Sequence, residues 1–349
     1  MLGVDLLVYT PGGKSQEEVK MKACSLLLAC LLMTACVSRV AQSFETPDSA
    51  EMGWYKGNTH AHSRISVGDV SPTDVTAWYK DNGYQFLVLT DDTVPSDPAL
   101  ISKFTDSSFI LIAGMEIKSY FGARFVHTNG LNAATKILPQ EADSLLNTLQ
   151  TDIDAVRAIG GVPQINHPNF RGGPDRDTIL KSSNCNLMEI YNGNVGPDAV
   201  EKNGYLSTES DWDYILTAGR RMYGLASDDA AAFSNEGYGG KPGRGWVVVR
   251  SARLDAEEIC RSLDKGSFYA STGVVLKDIV IEPNRIEIFI NAEKDITYNT
   301  VFVGDSGLKL FSTKSNPAVF ELSKRLKYVR AKVTNSQGKV AWIQPVFIH

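Results

Sequence analysis

The sequence predicts an α/β fold built on a parallel sheet, followed by a smaller antiparallel β region. Three observations support this. Between residues 53 and 274, short and wholly apolar runs recur, each ending in a polar cluster and most followed by a helical stretch. Apolar strands of that kind, separated by helices, suit a parallel sheet covered on both faces. From about Val274 the texture changes to alternation of apolar and polar residues, the signature of half-buried strands.

The first run, from Trp54, ends in Asn58-Thr59-His60-Ala61-His62-Ser63. Alternate side chains of an extended strand point to one face, so His60 and His62 would present two imidazoles together, an arrangement suited to a metal ion. The plain alternative is two surface histidines on a loop. Ser71-Pro72-Thr73-Asp74 is a helix start, with a capping serine, proline at the first helical position and an acid in the first turn. That helix carries Val75, Trp78 and Tyr79 and stops at Gly83. Phe86–Leu89 ends in Thr90-Asp91-Asp92, and Phe109–Ile112 leads to Gly114-Met115-Glu116. Phe125-Val126 leads to His127. A helix spanning roughly Glu141 to Ile159 follows, stopped by Gly160-Gly161. Val162–Ile165 ends at Asn166-His167-Pro168, Leu187–Ile190 at Tyr191-Asn192-Gly193, and Met222–Ala226 at Ser227-Asp228-Asp229.

In each case the chemically capable residues lie just past the strand. Both closed α/β barrels and open doubly wound sheets build their sites at that edge, so the pattern does not separate the two. Beyond it, Ile286, Ile288 and Ile290 alternate with polar residues, as do Val329, Ala331 and Val333. Asn335-Ser336-Gln337-Gly338 supplies a turn before Val340 to Ile348. Residues 275–349 therefore read as a small antiparallel β-sandwich.

The chain has 349 residues, 43% of them apolar, and a net charge of -5. That length supports a large core, with one large and one small domain as the natural division. The mildly acidic balance speaks against a nucleic-acid partner. The first forty residues stand apart. Lys20-Met21-Lys22 precedes an apolar run, Ala23 to Met33, that closes on Thr34-Ala35-Cys36. A positive start, a short apolar core and small residues before a cleavage point describe a secretory signal, and the run is too short to span a bilayer. A cysteine directly after Thr-Ala resembles a bacterial lipobox, which implies cleavage before Cys36 and its lipidation. The expected organisation is an extension (1–20), signal peptide (21–35), tether (36–52), main domain (53–274) and β-sandwich (275–349). The expected location is the bacterial cell envelope, at the outer membrane or in the periplasm, with the lipid as the only membrane partner. Cys185 and Cys260 would then remain as free, buried thiols, since two cysteines make no disulfide framework.

The chain has five histidines: His60, His62, His127, His167 and His349. Four of them fall at predicted strand ends, with Glu116 and Asp228-Asp229 at two others. One buried histidine is ordinary; four at one edge of a sheet are not.

These segments also form an ordered series. Lys56–Ser63, Ser71-Pro72, Trp78-Tyr79, Gly83-Tyr84 and Phe86–Asp91 are followed by Gly114-Met115-Glu116, His127 and Asn166-His167-Pro168. Glu189–Gly193 and Ala226–Asp229 complete it. The series resembles the motifs of the PHP (polymerase and histidinol phosphatase) domain over about residues 53–274. Arg244-Gly245-Trp246 and Phe268–Gly273 resemble the closing stretch of its secreted members. The resemblance implies a distorted (β/α)7 barrel and a metal-dependent hydrolase, usually a phosphoesterase, using Mn, Fe or Zn. It places one metal on His60, His62, Glu116 and either Asp228 or Asp229, and a second on Glu116, His127 and His167. At the positions of a third metal the chain has Val67, Asp92 and Ala230 or Ala231, two of which cannot bind a metal. The expectation is therefore a dinuclear centre with a bridging hydroxide, acting on a small-molecule, phosphorylated or related ester substrate. Asp92 would orient a ligand histidine or shuttle protons. Arg64 and Lys118 would contact an anionic substrate, and Asn166 and Asn192 would orient ligands or substrate. Asp69 is a weaker replacement for the missing acid. The rival is a non-catalytic ligand- or glycan-binding lipoprotein on a degenerate barrel. A purely structural role leaves the clustered histidines unexplained.

Overall fold

A computed structural model describes residues 52–194, 207–234, 239–323 and 325–348. The extension, the signal segment, the lipidation site Cys36 and the terminal His349 lie outside these residues.

The first half alternates strands and helices. Strand β1 (Gly53–Asn58) precedes α1 (Pro72–Asp81), β2 (Phe86–Val88), α2 (Pro98–Phe104) and β3 (Ile110–Ile112). The strands pair in parallel, β1 with β2 and β2 with β3. Helix α1 begins as its sequence dictates. The Ser71 hydroxyl accepts from the Asp74 amide, the Asp74 carboxylate reaches back to the Ser71 amide, and Pro72 occupies the first turn. This capping box satisfies donors that the helix leaves open.

Next come β4 (Gly114–Phe121), β5 (Arg124–Leu131), α3 (Leu145–Ala158), β6 (Val162–Ile165), α4 (Arg176–Lys181), β7 (Leu187–Asn192), α5 (Thr208–Thr217) and β8 (Tyr223–Ser227). They form a second sheet in the order β4-β5-β6-β7-β8. Here the expectation of a wholly parallel sheet fails. Strands β4 and β5 form a hairpin, and β5 is antiparallel to β6 as well. Only Gly122 and Ala123 separate β4 from β5. A parallel return needs a crossover of a dozen or more residues. Gly122, at φ +59, supplies the positive φ that a two-residue hairpin turn demands.

The closed (β/α)7 barrel is also corrected. Strand β9 (Trp246–Ser251) runs antiparallel along the free edge of β1 over five residue pairs, so β8 has no edge of β1 left to pair with. The two sheets meet instead at single bridges, Ala61 with Ala230 and Asp92 with Glu116 of β4. Among the described residues there is no continuous ring of strands; the architecture is a mixed α/β fold of three sheets.

After α6 (Ala256–Asp264) and β10 (Phe268–Ser271) follow β11 (Leu276–Glu282), β12 (Arg285–Ile290), β13 (Tyr298–Gly304), β14 (Leu308–Thr313), β15 (Ala318–Glu321), β16 (Tyr328–Asn335) and β17 (Val340–Phe347). These strands are antiparallel, as the alternation predicts. They do not make a self-contained sandwich. Strand β17 pairs with β10, giving one nine-stranded sheet in the order β14-β13-β16-β17-β10-β9-β1-β2-β3. The small sheet β11-β12-β15 packs on it through Ile279, Ile286 and Ile288 against Phe302, Val329 and Val333. A buried ion pair ties this region to the first: Arg330 of β16 donates from Nε and Nη2 to the two carboxylate oxygens of Asp213 on α5, each at 2.7 Å.

Candidate metal centre

The site is built where the two sheets meet. Just beyond β1, Ala61 bridges to Ala230, and the amide of His62 donates to the carbonyl of Ala230 at 2.8 Å. His60 and His62 point the same way, their Nε2 atoms 3.2 Å apart. Asn58 holds this turn from both sides, accepting from the His60 amide and donating to the Gly245 carbonyl. Glu116 and Lys118 alternate on β4 with Met115 and Ile117, which pack against Val156 of α3. The period of two sends the polar pair to the cleft and the apolar pair to the core. His127 comes from β5 and His167 from the end of β6. Asp229 follows β8 at φ +45.

Six donor side chains converge. Asp229 Oδ1 lies 3.1 Å from His62 Nε2 and 3.3 Å from His60 Nε2. Glu116 Oε1 lies 3.4 Å from His60 Nε2, 3.3 Å from His127 Nδ1 and 3.5 Å from His167 Nε2, while Oε2 is 3.6 Å from His62 Nε2. Two ligands each about 2.1 Å from a metal sit about 3.0–3.4 Å apart in octahedral or tetrahedral geometry. The observed separations fall on or just beyond that range. Two donor groups result, His60-His62-Asp229 and Glu116-His127-His167, with the atoms of each within 4.8 Å of one another.

Tautomers support the same reading. His60 Nδ1 donates to Glu189 Oε1 at 2.7 Å, which leaves the Nε2 of a neutral ring as a bare lone pair facing Asp229 and His62. Two histidine nitrogens and a carboxylate oxygen aimed at one point fit a cation, whether a proton or a metal ion. The electrostatics agree. Burial alone would lower the His60 pKa, but Asp229, Glu189 and Glu116 raise it well above its ordinary value. His62 is raised to about 9, again against burial, by Asp229 and Asp92. Burial would raise Glu116, yet His60, His127 and His167 hold it well below the usual carboxylate range. Buried carboxylates here draw positive charge from any source, and metal ions compete with protons for the same atoms.

Two of the solved structures that resemble this chain show the likeness. One, from Bacteroides vulgatus, is a two-domain protein containing a predicted PHP-like metal-dependent phosphoesterase; identity is 15%, over 81% of this chain and 90% of that one, with a TM-score of 0.47. The other is an amidohydrolase from Chromobacterium violaceum with bound sulfate and no metal, at 15% identity over 52% of this chain and 89% of that one, with a TM-score of 0.39. No family model matches the sequence, and no curated protein does.

The remaining candidates separate on geometry. Asp228, left open against Asp229 by the sequence, faces away. Its carboxylate accepts from the amides of Gly243, Arg244 and Gly245 and from the Tyr79 hydroxyl, so it pegs the 243–245 loop. Arg64 also lies outside the site, exposed, with its guanidinium on the Asp69 carbonyl. Asp69 itself caps the loop at Phe233 and Ser234. Asn166 is buried and turned inward, donating to Glu116 Oε1 at 2.9 Å and to Asn129; it orients the central glutamate and has no surface to offer a substrate. Asn192 lines the cavity but donates to Glu189 and Asp229. Lys118 lines the cavity and is ion-paired at 2.7 Å with Asp92. Asp92 Oδ1 lies 3.3 Å from His62 Nδ1, so His62, Asp92 and Glu116 make a third donor group. Only Asp92 is new in it, and an ammonium already neutralises Asp92. Val67 lines the cavity, whereas Ala230 and Ala231 are buried.

Sequence reasoning missed the role of Glu189. It is buried and accepts five hydrogen bonds, from His60, Gln164, the Ser227 hydroxyl, the His167 amide and Asn192. The available signal was an acid inside the apolar run of β7. It also missed the cavity of about 270 Å³, walled in part by Phe125, Phe170 and Arg171.

Proposed function

We propose that the protein is a metal-dependent hydrolase, acting on a phosphoester or related ester through a dinuclear centre. The observation that carries this is the pair of donor groups on the cavity floor with Glu116 placed between them, one oxygen 3.3–3.5 Å from His60, His127 and His167. His60, His62, Asp229 and Glu116 would hold one ion; Glu116, His127 and His167 would hold the other. Divalent cations there supply acidified water and charge stabilisation for the ester oxygens. The chain does the rest. Glu189 fixes the tautomer of His60 by accepting at Nδ1. Asn166 and Asn192 fix the carboxylates of Glu116 and Asp229. Lys118 offers positive charge on the cavity wall.

Burial raises the Asp92 pKa, but His62 and Lys118 overcome it and hold the group below its ordinary value. A carboxylate so held is a weak proton acceptor. Asp92 therefore serves to hold Lys118 beside His62 rather than to shuttle protons. The proposal retains export and a lipid anchor at Cys36, with Mn, Zn or Fe as the metal.

The test is metal analysis of the purified chain with a screen of phosphoester and carboxylester substrates. About two equivalents of metal, lost together with turnover in His60→Ala and Glu116→Ala, are expected. A protein that stays metal-free and inert with added Mn and Zn would overturn the proposal and leave the ligand-binding alternative.

A further inference from the structure

The β4–β5 hairpin orders the cavity wall in layers. Lys118 pairs across strands with His127, and Tyr120 with Phe125, on the face that carries Glu116. At 3.3 Å per residue the first layer lies about 7 Å beyond Glu116 and the second about 13 Å. Lys118 is committed to Asp92. The other cation on the wall is Arg171. Its guanidinium sits 5.0 Å from the Phe125 ring centre and 5.5 Å from that of Phe170. Among the described residues it has no hydrogen bond and no carboxylate partner.

The backbone that presents Arg171 is held in an uncommon shape. His167, Asn169 and Arg171 all have positive φ, at +24°, +69° and +47°. Non-glycine residues in that region carry strain, which persists only where the surroundings impose it. They do so here: Asn169 donates to Asp211 at 2.6 Å, and Arg124 donates to the Gly172 carbonyl. The strained turn thus begins at a metal-site histidine and ends by placing Phe170 and Arg171 on the cavity wall.

We propose that Arg171, seated beside the rings of Phe125 and Phe170, is a specificity subsite for a second anionic group of the substrate. An apolar spacer lying along Phe125 would separate that group from the ester held at the cluster. The substrate class is then an organic dianion, with a phosphate-like reacting end and a carboxylate or phosphate at the other. A guanidinium set among aromatic rings suits this role, because neither ring is a carboxylate partner and the group can offer two N–H donors at once to a carboxylate or phosphate. The proposal rests on the hydrolase reading for which end reacts, but the selective binding does not require turnover.

The test is calorimetric titration of the Mn-loaded full chain with two inert probes, 6-phosphonohexanoate and hexylphosphonate, which differ only in the distal carboxylate. The wild type is expected to bind the carboxylate-bearing probe about tenfold more tightly, a preference that weakens with added salt. Arg171→Ala should abolish the preference while keeping affinity for hexylphosphonate, and Arg171→Lys should retain part of it. Thermal melts establish that both variants fold, as expected of an exposed side chain. Equal affinity for the two probes, no binding of either, or a preference that survives Arg171→Ala would overturn the proposal. Preference without turnover would instead count against the hydrolase reading alone, and turnover without preference against the subsite alone.

Discussion

Glu189 Oε1 and His60 Nδ1 are 2.7 Å apart, both fully buried, and this bond decides which nitrogen of His60 faces the cluster. Burial would raise the Glu189 pKa, but His60 and His167 lower it, so Glu189 stays an acceptor and His60 keeps its proton on Nδ1. Glu189→Gln can present an N–H to that atom and reverse the tautomer. Loss of such a partner typically weakens a metal site about 10–100-fold. Metal titration of the variant, with its melting curve as a control for folding, checks this; unchanged affinity would contradict the assigned role.

Asp228 and Asp229 are neighbours with opposite tasks. Asp229→Asn is expected to lower the metal content, because its carboxylate faces His60 and His62. Asp228→Asn should leave the metal content unchanged and lower stability by about 1–3 kcal/mol, since three loop amides lose part of their acceptor. Parallel metal analysis and denaturant unfolding separate the two. A metal-depleted Asp228→Asn protein of normal stability would reverse the assignment.

Asp152 of α3 provides a pH test remote from the cluster. Burial raises its pKa to about 8, only partly offset by the Ser119 hydroxyl that donates to Oδ1; Oδ2 has no partner. Unfolded, the group ionises near its ordinary value of about 4. Its contribution to stability is therefore fully present below about pH 4 and is lost as the pH rises through about 8. Asp152→Asn should flatten that part of the stability profile and be the more stable protein at pH 8, by about 1–3 kcal/mol. Melting temperatures of both proteins from pH 4 to 9 read this directly, and parallel curves would refute it.

The Arg330–Asp213 pair joins the C-terminal strands to α5, with both carboxylate oxygens engaged and the Tyr328 hydroxyl also donating to Asp213. Asp213→Ala leaves a buried guanidinium without its closest partner, an outcome expected to cost about 3–5 kcal/mol. The double variant Asp213→Ala/Arg330→Met should recover part of that loss. Chemical unfolding of the three proteins measures it; equal stabilities would show the pair to be incidental.

Much of this was legible in the chain itself. The capping box at Ser71, the alternation after residue 275 and the placement of His60, His62 and His167 just past strand ends follow from local rules: dihedral preference, side-chain period and the position of polar residues after apolar runs; His127, expected at a strand end, lies inside β5. The chemistry of the site follows in the same way, because residue type sets which atoms can hold a cation.

What the sequence left open depends on contacts between distant segments. Asp228 and Asp229 are equivalent in composition, and the 243–245 amides with the Tyr79 hydroxyl decide which of them turns away. Arg64 follows the paired histidines as closely as Lys118 follows Glu116, yet only Lys118, on the cleft face of β4, lines the cavity. Whether the sheet closes was settled by β9, nearly 190 residues from β1 in the chain, which takes the edge that a barrel would need. Local propensity and periodicity fixed the elements and the donors here. Sheet order, the placement of Glu189 and Arg171, and the direction of each carboxylate were decided by tertiary packing, because hydrogen-bond partners and free strand edges are properties of neighbours in space.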